Sequence, residues 1–438
     1  MQNKSESRIA IVGAGASGIV CARELAKKGW KNVTVFEASD QPGGKTRSLT
    51  LKHPESHKPE VLELGTATIL VGPVLDEILE ETGLNKDLRN LPKVRVKNPP
   101  ESNEYHPIFS PSSPPLSFPK KALEMLKFMG DIDGAKFLDQ PGLKGLSGKG
   151  VSLPIEEWFK QNNLSFAKNI ALPVISSGLC GMDFDRVPAV YMLKIYRLML
   201  RVPLWRNALT LLRTIKSGNN EIWRRAAIDL DIHYNQSIQN LQLSNGQIKI
   251  ATKHQEHQTF DRVIWTGGLP RLGKMLEGQS SSNGGESLSR AHYSLVQYLR
   301  RAVFTYRFEG LPRNKSWIHT ENILKKIMGS PFACANVKGT DWYYFYPWLA
   351  PHQTVDDVDR IIREFAHQLG GRVTAMAADP VVWNYNPFFE SEMLEQGVYD
   401  KIENEQGKNG IYVCGETLSG ITLPAVTEYA KDLVQRHF

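Results

Sequence analysis

The chain has 438 residues, 41% of them hydrophobic, and a formal net charge of +7. That length suits two domains of ordinary size with full cores. No uncharged apolar run reaches about 18 residues, so no membrane-spanning helix is expected. The polar start MQNKSESR lacks the apolar stretch of a secretory signal. The four cysteines, at positions 21, 180, 334 and 414, form no C-x-x-C pair, and the 11 histidines show no ligand spacing. Neither a disulfide framework nor a metal site is expected, and a reducing cytoplasm is the expected location.

In chain order, the Ile- and Val-rich run Arg8–Val12 reads as a buried strand. It enters Gly13-Ala14-Gly15-Ala16-Ser17-Gly18, a G-x-G-x-x-G, and the periodic apolar run Ile19–Leu25 then reads as a helix ending near Gly29. A second strand, Asn32–Phe36, ends at Glu37. In that register each part has a physical task. Gly13 makes the tight turn, Gly15 lets a pyrophosphate approach the backbone, and Gly18 lets helix and sheet pack closely. The free amides at Ala16, Ser17 and Gly18 face the phosphates, and Glu37 accepts ribose hydroxyls. After Ala38, the segment Gly43-Gly44-Lys45 offers a second backbone pass beside the same pyrophosphate, where the plainer reading is a Pro-Gly-Gly turn. Val61–Ala67 reads as a short strand ending in a glycine turn at Gly65, Thr66 and Ala67.

Gly72–Gly83 has Val74, Leu75, Ile78 and Leu79 on one helical face, and Lys93–Lys97 alternates cation and valine as a strand would. Pro99–Pro119 reads as a loop, Lys120–Met129 as a helix, and Gly142–Gly150 as a linker. Helices are expected from Leu153–Phe159, over Ile170–Met182, and from Val187 to about Val202. The stretch Tyr191–Arg225 carries eight cations and one acid, so it holds the whole net charge. Lys194, Arg197 and Arg201 fall on one helical face. That face is either a solvated edge or a surface for anionic lipid. No aromatic–basic motif accompanies it, so nucleic acid is not an expected partner.

Further on, Glu221–Leu230 reads as a helix, and Asp231–Tyr234, Ile238–Leu243, Gln247–Thr252 and Arg262–Thr266 as strands, with a hairpin turn at Ser244-Asn245-Gly246. Ser294–Tyr306 and Asp341–Trp348 suggest a second sheet. The run DWYYFYPW, with Tyr344 and Tyr346, is either core or the wall of an apolar substrate cavity. Asn409–Glu416 reads as a buried strand ending in Gly415-Glu416, followed by a loop over Thr417–Ile421 and a helix over Leu423–Phe438.

Taken together, GAGASG, EASDQPGGK, ELGTA, VIWTGGLP, the W-x-x-x-P of Trp383–Pro387, and VCGE resemble the flavin-dependent amine oxidase superfamily, in its order. Within it, SRIAIVGAG, GGK, LPIEEWF, VPAVYMLK and YAKDLVQRHF resemble the polyenoic fatty acid isomerase group. The resemblance implies an α/β fold: a Rossmann-type FAD domain of 1–72, 206–290 and 386–438, interleaved with an α+β substrate domain of 73–205 and 291–385, a mixed sheet flanked by helices. It implies FAD, and because Cys414 alone lies near the late flavin-facing motif, the flavin is expected to be non-covalent. It puts Gly65 beside the flavin ring, the backbone of Ile238 on the adenine side, and Glu416 on the ribityl–phosphate chain. Arg95 becomes the nearest candidate for a fatty acid carboxylate, and Tyr344, Tyr346 and Trp383 become candidates for substrate contact. The implied activity is hydride transfer at flavin N5 on a lipophilic unsaturated substrate, as a double-bond isomerase or desaturase. Amine or amino-acid oxidation, or flavin binding without turnover, are the alternatives. Where amine oxidases of the superfamily carry a lysine, on Gln297–Tyr306, this chain has Arg300-Arg301.

Overall fold

The computed structural model describes residues 4–438, apart from 54–56, 91–93, 98–105, 108–118, 177–180, 182, 201–211, 245, 255–256, 278, 280–290, 312–315, 320–322, 332, 338 and 369. It is an α/β protein organised by two sheets. The first has five parallel strands in the order Ile232–His233, Asn32–Phe36, Arg8–Val12, Arg262–Trp265 and Ile411–Val413. Strands buried on both faces need continuous apolar runs, and RIAIV, RVIW and IYV supply them. The helix Ala16–Lys27 covers this sheet and packs against the C-terminal helix Leu423–His437. Both ends of the chain therefore meet in one layer.

The second sheet has nine strands around the 13-residue strand Gln297–Glu309. That strand pairs antiparallel with Trp342–Phe345, Trp348–Leu349, Arg372–Met376 and Val381–Phe388. Alternation explains the aromatic run. Tyr343 and Phe345 point into one cluster with Phe304, Tyr306, Phe308, Val358 and Ile362. Trp342 and Tyr344 point the other way, onto Leu62 near the glycine turn at Gly65. The run is thus core on one face and approaches the candidate site on the other.

Most expected elements are present within a few residues. The helix expected over 170–182 runs from Ser165 to Ser176, and the loop expected after Gly415 begins with the short helix Glu416–Ser419. Periodicity gives no expectation for several elements, among them the strands Ser48–Lys52, Gln258–Phe260, Arg372–Met376 and Val381–Phe388, and the helices Leu269–Leu276 and Val355–Gln368. No helix among the described residues is long and apolar enough to cross a membrane.

The basic face expected on Val187–Val202 requires a correction. On the observed helix Ala189–Leu200, Lys194 is 4% exposed, and its ammonium donates to the carbonyls of Leu138, Gln140 and Gly142 at 3.0, 2.7 and 2.9 Å. Arg197 grips Asp139 with two bonds of 2.8 and 2.7 Å and Asp133 with a third of 2.6 Å. Arg201 lies outside the described residues. Two of the three cations expected on a solvated edge or a lipid-facing surface therefore bind the protein's own segment 133–142. A buried ammonium needs such partners, because its desolvation would otherwise cost several kcal/mol.

Candidate flavin site

The glycine motif sits at the C-terminal edge of the parallel sheet. Gly13 has φ 103°, which an L side chain rarely adopts, and its amide donates to the Phe36 carbonyl at 2.8 Å. The loop then enters Ala16–Lys27, whose N-cap is Gly15 and which no side chain caps. A Cβ on Gly18 would land on the Gly13 carbonyl oxygen, so glycine is required there by helix–sheet contact. At Gly15, by contrast, a Cβ meets only the Gly44 Cα at 3.9 Å. Gly15 bridges to Gly43, and the Gly43 amide donates to the Ala14 carbonyl at 2.8 Å. Two glycine passes thus lie side by side with open space over Gly15 at an uncapped helix start. That is a cradle of the shape and polarity a pyrophosphate needs.

Glu37 secures the loop. One carboxylate oxygen accepts the Ala14 amide at 2.7 Å, and the other accepts the Ser39 amide and hydroxyl, each at 2.8 Å. An ionised carboxylate has about four acceptor positions, so one remains for a ribose hydroxyl. Ala38 follows directly. Ile238 is buried, and its carbonyl accepts from Arg271.

Lys45 forms an ion pair with Glu416, joining the second glycine pass to the C-terminal motif. The Gly415 between strand and helix has φ 115°, again a glycine conformation. Gly65 packs so closely on the Lys45 carbonyl that a Cβ there would overlap it, and the Thr66 amide donates to that carbonyl at 2.9 Å. Trp383 reaches over from the second sheet, its indole N–H donating to the Leu64 carbonyl at 3.0 Å. Ala67 is packed beside Leu62, Trp342 and Tyr344. Residues expected at one cofactor from opposite ends of the chain are thereby brought together.

Behind this wall lies a feature the motifs did not reveal. Arg301 is 6% exposed, and its guanidinium sits 4.8 Å from the rings of Tyr346 and Trp348 and 5.4 Å from that of Tyr385. Burial pulls it below its ordinary pKa, and Tyr385 and Tyr346 act against that shift. Tyr385 also carries the Lys45 ammonium at 5.2 Å, so one ring lies between the dinucleotide segments and the buried arginine. Such contacts hold a desolvated guanidinium at about 2 kcal/mol each. Tyr346 has a buried hydroxyl with no hydrogen-bond partner, and burial raises its pKa well above the ordinary value. The Tyr344 hydroxyl accepts the Glu63 amide at 2.8 Å. The strand that carries Arg95, Val94–Lys97, pairs with Ser316–His319, three strands away from Gln297–Glu309, and the Arg95 side chain lies outside the described residues.

Glu63 is the acid two residues before Gly65. Its carboxylate accepts the Asn219 amide at 2.8 Å and the Ser48 hydroxyl at 2.7 Å, and Asn219 in turn donates to the Thr66 carbonyl at 2.8 Å. Burial raises its pKa to about 7 despite those bonds. The folded protein therefore holds this proton more tightly than the unfolded chain. The stabilisation is full below about pH 4.5 and is lost as the pH rises to about 7, a swing of about 3 kcal/mol. A Glu63→Gln protein does not titrate, and its amide oxygen can still accept the Asn219 N–H while its NH2 donates to the Ser48 hydroxyl. The stability difference between wild type and variant, followed by urea unfolding from pH 5 to 8, is expected to move against wild type by most of that amount. A constant difference would rule out Glu63 as the titrating group.

Fold and site together define a dinucleotide-binding flavoprotein architecture, a Rossmann-type layer facing a second mixed sheet. The chain belongs to the family of flavin containing amine oxidoreductases, whose model matches residues 16–420. Curated relatives match over short stretches only. Tryptophan 2-monooxygenase of Pantoea agglomerans pv. gypsophilae is 41% identical over 58 residues, 13% of this chain and 10% of that one. Protoporphyrinogen oxidase 2, chloroplastic/mitochondrial, of Arabidopsis thaliana is 53% identical over 45 residues, 10% of this chain and 9% of that one. Each match therefore spans a tenth or less of the relative's length. Solved structures match throughout. The CLA-producing fatty acid isomerase from P. acnes superposes with TM-score 0.85 at 22% identity over 100% of both chains. Putrescine oxidase bound to putrescine gives 0.68 at 15% identity, over 98% of this chain and 97% of that one. Cyclohexylamine oxidase from Brevibacterium oxydans IH-35A gives 0.66 at 12%, over 98% of each. At these identities the likeness is one of fold.

Proposed function

We propose that the protein binds FAD non-covalently and acts on a lipophilic unsaturated acid, as a double-bond isomerase or desaturase. The proposed FAD ligands are Gly13, Gly15, Ala16, Ser17, Gly18, Glu37, Ala38, Gly43, Gly44, Lys45, Gly65, Thr66, Ala67, Ile238, Gly415 and Glu416. The domain division at 1–72, 206–290 and 386–438 belongs to the same reading. The chemistry that FAD supplies when bound is uptake and return of a hydride at N5. The chain's part is to hold and to exclude. The glycine cradle and the Ala16–Lys27 helix start bind the diphosphate, and Lys45–Glu416 closes over it. Trp383, Tyr344 and Tyr346 present an apolar, water-excluding wall.

One observation carries the choice of substrate class: the buried guanidinium of Arg301 within that wall. A fixed cation in a low-dielectric wall repels an ammonium substrate and tolerates an anionic or neutral one. Anaerobic mixing with panels of unsaturated fatty acids and of amines tests this. A fatty acid is expected to perturb the flavin spectrum and to return as a positional isomer, or as a desaturated product. Bleaching by amines with peroxide formation in air would replace this reading with an amine oxidase.

A further inference from the structure

The helix Pro119–Gly134 turns one face inward and leaves leucines exposed on the other, where the Lys127 ammonium donates to the Asn162 carbonyl. Phe128 and Ile132 are buried, with the Phe128 ring 5.4 Å from Tyr196 and 5.6 Å from Phe159. On the outer face, Leu123 and Leu126 are 67% and 65% exposed, the second and third most exposed large hydrophobic side chains described. Lys120 and Lys127 lie two turns apart on the same line, each within one turn of Leu123. Two of the helix's three acids are engaged elsewhere. Glu124 accepts the backbone amides of Phe166 and Ala167, the latter at 2.9 Å, and Asp133 is paired with Arg197 at 2.6 Å. The outer face therefore presents two leucines beside two lysines that form no ion pair among the described residues, Lys127 being held only by the Asn162 carbonyl.

We infer that this helix is a docking face for an anionic lipid surface. Leucines entering the headgroup boundary gain by leaving water, while lysine stems lie along the apolar layer and place their ammonium groups among lipid phosphates. Charge complementarity selects anionic lipid. The site differs from the Val187–Val202 face expected from sequence, whose cations are consumed internally. It also stands apart from the flavin cradle, so docking and FAD content vary independently.

The test is sedimentation of the flavin-loaded protein with vesicles of phosphatidylcholine, with and without phosphatidylglycerol. Wild type is expected to partition onto the anionic vesicles and to leave them as salt rises above about 0.1 M. Leu123→Ser with Leu126→Ser is expected to lower the partition coefficient about thirtyfold. Lys120→Gln with Lys127→Gln is expected to lower it about tenfold and to flatten the salt dependence. Unchanged FAD absorbance and circular dichroism mark each variant as folded, and if the serine pair fails that check the glutamine pair decides. The inference is overturned if wild type stays in the supernatant, or if the folded variants sediment as wild type does. It is equally overturned if wild type is a dimer that the serine pair makes monomeric, since the face would then join two copies of this chain.

Discussion

A Gly15→Val protein is expected to fold and to purify colourless. The space above Gly15 is open to a side chain, the nearest atom to an added Cβ being the Gly44 Cα at 3.9 Å. Valine there fills the cradle between the two glycine passes without disturbing the fold, and FAD affinity should fall at least about a hundredfold, roughly 3 kcal/mol. Gly18→Ala should behave in the opposite way. Its methyl group collides with the Gly13 carbonyl, so helix and strand must separate, at about 3 kcal/mol of stability. Thermal unfolding and flavin absorbance of the two variants separate the effects. A yellow Gly15→Val protein with wild-type FAD affinity would remove the diphosphate from this loop.

The second large effect is expected at Arg301. A cation brought within about 6 Å of the buried guanidinium is repelled by about 3 kcal/mol at an effective dielectric near 20, a factor of about a hundred. Wild type should therefore bind a long-chain unsaturated acid in preference to the amine of the same chain. Arg301→Leu keeps much of the apolar volume and should reduce that preference by up to the same factor. Titrations of the two ligands, read by flavin absorbance or by tryptophan fluorescence, give the ratio directly. The change also removes three cation–π contacts, so a lower unfolding temperature should accompany it. An unchanged acid-to-amine ratio in the folded variant would mean that the arginine supports the wall without reading the substrate.

The proposed dinucleotide cradle was legible because its shape is carried by backbone, and backbone demands leave local marks. Gly13, Gly43, Gly44 and Gly415 stand at positive φ, Gly18 where helix and strand touch, and Gly15 where the space stays open, and Glu37 follows its strand at once. The parallel sheet was equally legible, since strands buried on both faces must be continuous apolar runs. The strand Val381–Phe388 was not, because alternation on a strand that mixes Trp383, Asn384 and Asn386 with valines is weak until Gln297–Glu309 pairs with it. Cys21 and Cys414 illustrate the same limit, lying 393 residues apart in sequence with sulfurs 4.0 Å apart in the core.

What the sequence determined by itself was the family, the order of the motifs and the α/β class, all properties of short segments. What the tertiary structure decided was the environment of each charge. Lys194 and Arg197 share a helical face with a basic stretch, yet three carbonyls and two aspartates from 133–142 absorb them, while Lys120 and Lys127 lie beside exposed leucines. Glu63 and Arg301 are ordinary charged residues in the sequence, and only the packing of Ser48, Asn219 and three aromatic rings removes them from water. Desolvation depends on what surrounds a group from every side, and those neighbours come from distant parts of the chain.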